Sequence, residues 1–199
     1  MMSLVSPQFS WYAAVVSGIA WMLSALPALV FSVEGTGETG SASDFFIETT
    51  HFIAEAGILF ALFGFRARQI QVYGRLGEAG LVLAFLGNAL IFLVTLLFVV
   101  LLFSGAMTGA DIGAQISESL PTTLFISGFV GIALGFPLLG IATMQARVFP
   151  WWAGALMIAH PLLFFFSLVN YARWLAVGVL WLGLAAALKP QAMTDPAAS

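Results

Sequence analysis

The sequence predicts an all-α protein: a polytopic membrane bundle of about six helices, one transmembrane domain over 1–199, with both termini cytoplasmic. Three observations carry that reading. Of the residues, 61% are hydrophobic and 8% are charged, whereas a soluble domain covers itself with about 25% charged residues. Mean hydropathy is +1.06. Apolar runs as long as a bilayer crossing, about 20 residues, recur along nearly the whole chain.

Helices are expected near 11–33, 46–66, 77–103, 121–145, 151–168 and 171–188, with 189–199 a short polar cytoplasmic tail. The flank before the first run carries no Lys or Arg, and Leu26-Pro27-Ala28 is a poor cleavage site, so the run reads as a retained helix. A Gly-, Ser- and Thr-rich connection over 34–45 leads to the second helix, where Ser43 or Asp44 is the expected cap. The 104–120 connection is the other long loop. Pro121 then suits the first turn of the fourth helix, where a missing N–H costs nothing. Between the last two helices only Asn170-Tyr171-Ala172-Arg173 interrupts an apolar run from Trp151 to Leu188. One helix of that length would overshoot the bilayer, so a tight outer turn is expected there.

Orientation follows from the basic residues. Arg66, Arg68, Arg75, Arg147 and Lys189 fall on one side of an even number of spans, and only Arg173 falls on the other. The chain is therefore read as a multi-pass protein with residues 67–76 inside and residues 34–45 and 104–120 outside. Trp11, Tyr12, Trp151 and Trp152 are expected at the inner interface, and Tyr171 and Trp174 at the outer one.

Composition excludes several functions. With no cysteine there is no disulfide, thiolate metal site or cysteine nucleophile. A net charge of −3 leaves no basic footprint for nucleic acid. No complete catalytic or nucleotide-binding motif is present, which speaks against an enzyme. The Gly35-to-Gly40 string matches a phosphate-loop pattern by chance, with no strand before it. The expected partners are the lipid bilayer and either a second copy or another membrane protein.

Small residues drive helix packing within lipid. Ser127, Gly131 and Gly135 recur every four residues on the fourth helix, and Gly80, Ala84 and Asn88 on the third. Pro27, Pro137 and Pro161 are interior prolines, each removing one helical hydrogen bond and marking a kink or a cavity.

The most informative stretch is Glu48-Thr-Thr-His51-Phe-Ile-Ala-Glu55. At about 100° per residue, the two acids and His51 share roughly 60° of arc and form one stripe. Glu55 falls near mid-span, where a bare charge costs at least about 2.5 kcal/mol, so it should face inward toward a partner. Asn88 and His160 lie at similar depth, which allows a buried polar cluster of Glu55, His51, Asn88 and His160. Such a cluster could fix helix register or carry a function. No cofactor is predicted outright. Two arrangements stay open: a single metal ion on His51, Glu55 and His160, and haem b between the two histidines. The Glu48-x-x-His51 spacing also resembles half of a di-iron carboxylate site, but His160 has Met157 where the second half needs Glu.

Phe65-Arg66-Ala67-Arg68-Gln69, then Gly74-Arg75-Leu76-Gly77-Glu78-Ala79-Gly80, and later Phe149-Pro150-Trp151-Trp152-Ala153-Gly154, resemble uncharacterised small bacterial multi-helix membrane proteins. Those proteins carry an arginine-containing turn before a GRLG-like helix start. The resemblance implies the bacterial inner membrane and no activity. Three function classes follow: an accessory or scaffold bundle, a small transporter or proton-linked carrier using the Glu/His cluster, and a haem or metal protein.

Overall fold

A computed structural model describes residues 6–31, 42–104, 120–166 and 170–190. The described residues are helical throughout apart from short turns, with no strand among them. In chain order the helices are α1 (Pro7–Ser24), α2 (Leu26–Phe31), α3 (Ala42–Gln69), α4 (Gly74–Phe103), α5 (Leu120–Ala146), α6 (Trp151–Phe166) and α7 (Asn170–Leu188). Among the described residues, four stretches are long and apolar enough to cross a membrane: Phe45–Gln69, Gly74–Phe103, Thr122–Ala146 and Tyr171–Leu188. Helix α6 is apolar but shorter.

Local chemistry sets the helix ends. Helix α1 begins at Pro7, earlier than the apolar pattern suggests, because Ser6 caps it. The Ser6 hydroxyl accepts from the Phe9 N–H at 3.1 Å, and Pro7 needs no N–H at the first position. Pro27 does more than kink this run: α1 ends at Ser24 and the six-residue α2 follows. The Ser24 hydroxyl donates to the Trp21 carbonyl at 2.7 Å beside the break. Ser43 and Asp44 lie inside α3 instead of capping it, since the helix starts at Ala42. Gly74, with φ of 62°, turns the chain into α4. Pro137 and Pro161 are interior, as expected. Asn170 to Arg173 open α7, so they are not the turn, and 167–169 lie outside the described residues. Most of the 34–45 and 104–120 connections, and the tail from 191, also lie outside them.

With α1 and α2 taken as one broken rod, the helices form a closed ring of six. Each rod packs on the next in sequence, and α1 closes the circle against α7. Neighbours run antiparallel: Gly57 of α3 meets Ala13 and Ser17 of α1, while Gly64 meets Ser10. Gly140 of α5 meets Gly154 and Ile158 of α6. Gly178 of α7 meets Gly18 and Met22 of α1. All the long connections therefore leave from one end of the ring.

The closest seam joins α4 and α5. A Cβ on Gly131 would lie 2.8 Å from the Cα of Gly87, and one on Gly87 would lie 2.6 Å from the Ile132 nitrogen. Gly80 abuts Leu138 and Leu139, and Gly135 abuts Ala84. Ser127 corrects the expected row: it is exposed, and the buried Gly128 takes its place. At about 100° per residue, position 128 lies roughly 20° from Gly135 around the helix and position 127 roughly 80° away.

At the opposite end of the ring, side chains tie the helices together. Arg68 donates to the carbonyls of Ala187 at 3.2 Å and Leu188 at 2.7 Å, the open C-terminus of α7. Its guanidinium also lies 5.7 Å from the centre of the Phe149 ring. Arg66 pairs with Glu78 at 3.6 Å, and the Tyr73 hydroxyl donates to the same carboxylate. Burial, and then the Glu78 carboxylate beside it, push the Tyr73 phenol up to about 12.

Candidate functional site

A ring of six rods encloses an axis, and the side chains on that axis do not fill it completely. A cavity of about 230 Å³ lies there, toward the end from which the long connections leave. Every rod contributes to its wall. Helix α1 supplies Trp21, and α3 supplies Glu48, His51 and Glu55. Helix α4 supplies Ile91, Val94, Thr95 and Phe98. Phe125, Phe129 and Ile132 come from α5, Phe164 from α6, and Arg173 and Trp174 from α7.

Depth along the axis follows from position along each helix. Glu48, Phe98, Phe125 and Arg173 are nearest the mouth. Glu55, Ile91 and Ile132 are deepest. Seven residues separate Glu48 from Glu55, a descent of roughly 10 Å at about 1.5 Å per residue. The stripe expected from the 48, 51 and 55 spacing therefore runs down the inside of the cavity.

Glu55 is 3% exposed, and its Oε2 has no hydrogen-bond partner among the described residues. A buried carboxyl oxygen without a partner is rare and calls for an explanation. His51 stands one turn above it between two indoles, 4.7 Å from the Trp21 ring and 5.0 Å from the Trp174 ring. The His51 Nε2 also lacks a partner. Arg173 lies with its guanidinium 5.7 Å from the Phe164 ring centre. Thr95, which lines the cavity, donates back to the Ile91 carbonyl at 3.0 Å.

The other two members of the expected cluster do not line the cavity. Asn88 is fully buried and continues the strip of Thr95 and Ile91 one turn below the cavity. Its amide donates to the Ala84 carbonyl at 2.6 Å, and its Oδ1 is unpartnered. His160 is 1% exposed and sits among rings: Phe136 at 4.3 Å, Phe164 at 5.5 Å and Trp181 at 5.8 Å. Both its nitrogens lack partners among the described residues. Among the described residues, ring contacts connect His51 to His160 through Trp21 and Phe164. Among the described residues, no three His, Asp or Glu side chains gather closely enough to hold a metal ion.

The structure adds Trp21, Thr95, Phe129, Phe164, Arg173 and Trp174 to the residues read from sequence. One of them carried a signal: Arg173 is the sole cation on the outer side of the positive-inside count. Trp174, read from sequence as an interfacial residue, lines the cavity. Hydrophobic walls with a few convergent polar groups are the usual make-up of a small-molecule site. Comparisons with protein-family models, with curated proteins and with solved structures found no match for this chain.

Proposed function

We propose that this chain is a six-span protein of the bacterial inner membrane whose central cavity binds a small solute, as a carrier does. The observation that supports it is the stripe of Glu48, His51 and Glu55 facing Arg173 across one cavity walled by all six rods. In this reading the termini and the 67–76 turn are cytoplasmic, and the cavity opens outward. Cysteines placed at Gly37 and Gln71 should then label from opposite sides of intact cells.

An accessory or scaffold bundle is supported by the absence of a complete motif and by rows of small residues, which serve packing within the chain or against a partner. Gly80, Gly131 and Gly135 pack α4 against α5 within the chain, while Ser127 is exposed. What remains is whether Glu55 serves structure or ligand. A carboxyl that fixes register contributes through its hydrogen bonds, and its loss destabilises the fold. A carboxyl held for a ligand contributes nothing to stability, and its replacement by an apolar group of similar size is neutral or stabilising. Glu55→Met should leave the melting temperature in detergent unchanged or raise it. A fall of more than about 4 °C, the equivalent of roughly 1 kcal/mol or more in a chain of this size, would favour the structural role.

A further inference from the structure

The lining of the cavity selects for charge. Among the described residues, its charged side chains are Glu48 and Glu55 from α3 and Arg173 from α7, and its remaining titratable group is His51. Helices α1, α4, α5 and α6 bring no charged residue to it. Arg173, in the first turn of α7, stands toward the mouth. At the deep end the polar group is the Glu55 carboxyl, 3% exposed and with Oε2 unpartnered. Between mouth and floor the wall is aromatic, from Trp21, Phe129, Phe164 and Trp174. Aromatic faces attract cations through the ring quadrupole, most strongly where water is excluded, and aromatic cages hold quaternary ammonium groups.

We infer that the cavity takes a small organic cation of the alkyl- or arylammonium class, its charge against the Glu55 carboxylate and its apolar groups against these rings. The inference rests on the cavity being a binding site. The volume of about 230 Å³ lies below the usual range for drug-sized ligands, so the ligand is small. A bare carboxylate at this depth is costly, so Glu55 exchanges one counter-cation for another. As the ammonium enters, the carboxyl O–H bond breaks, the proton leaves through the mouth to water, and the net charge of the site is unchanged.

The test uses the full chain purified in detergent, titrated calorimetrically with benzyltrimethylammonium and separately with benzenesulfonate. The ammonium should bind saturably with release of protons, and its affinity should weaken up to tenfold per pH unit on acidification. Glu55→Gln should lose at least tenfold in affinity, and Glu55→Asp should retain binding. The pH dependence of the unaltered protein stands even if a variant fails to fold. Affinity independent of pH, or binding of benzenesulfonate in place of the ammonium and lost in Arg173→Gln, would overturn the inference. If neither probe binds while a cysteine at Thr95 is reached from outside, the cation inference fails and the cavity survives. If that cysteine is never reached, both fail.

Discussion

The His51 imidazole packs against the Trp21 indole at 4.7 Å between ring centres and 42° between planes, joining α3 to α1 beside the cavity. Trp21 is 4% exposed and also meets Phe164 edge-on at 5.9 Å. It therefore serves both as wall and as packing. Trp21→Ala should destabilise the fold by about 3 kcal/mol or more, in line with other buried tryptophan truncations. Thermal unfolding in detergent measures this. Trp21→Phe, which keeps a ring in place, should recover most of the loss.

The α4–α5 seam makes an asymmetric prediction at adjacent positions. Gly128→Leu would push a side chain into the Gly87 carbonyl and Ile91, whose atoms lie 2.9 Å from where its Cβ would be. It should lower the melting temperature sharply. Ser127→Leu, on the exposed side, should change stability by no more than about 0.5 kcal/mol. Comparable losses at both positions would contradict the seam described above.

Arg68 closes the last turn of α7 from a distant helix. Removing it leaves the Ala187 and Leu188 carbonyls without that charged donor. Arg68→Gln should cost about 1.5–3 kcal/mol, the range for hydrogen bonds to charged groups. Arg68→Lys should cost less but not nothing, because one ammonium lacks the fork that spans two carbonyls. Hydrogen exchange at the C-terminal end of α7 should accelerate in Arg68→Gln; unchanged exchange would count against the contact.

The helices were legible because lipid demands long apolar runs, and those runs are unmistakable in composition. Their ends were less so, since Ser6 and Pro7 cap α1 from within a flank that precedes the long apolar run. The stripe of Glu48, His51 and Glu55 was legible because all three share one helix, where spacing dictates direction. Joining Asn88 and His160 to it required knowing how separate helices turn toward one another. Depth alone does not give that. His160 sits among Phe136, Phe164 and Trp181, and Asn88 lies below the cavity floor. Ser127 failed for a related reason: a four-residue spacing drifts about 40° per step around a helix, so a long row leaves the contact face. Arg173 was visible as an exception to the charge count, and the cavity supplies the reason for that exception.

If the cavity binds a solute from the outer side, as proposed, water must reach the Glu55 stripe from that side. The chain has no cysteine, so single cysteines can be introduced without background. Thr95 lines the cavity, whereas Leu97, on the same helix within a turn, is 41% exposed on the outer face of the ring. Intact cells expressing each variant would be treated with a membrane-impermeant, charged thiol reagent. The cysteine at Thr95 should react, because water admits the reagent and ionises the thiol, while the one at Leu97 should stay unmodified in lipid. Failure of the Thr95 position to react, or reaction only after the cytoplasmic side is opened, would rule out an outward-facing binding cavity.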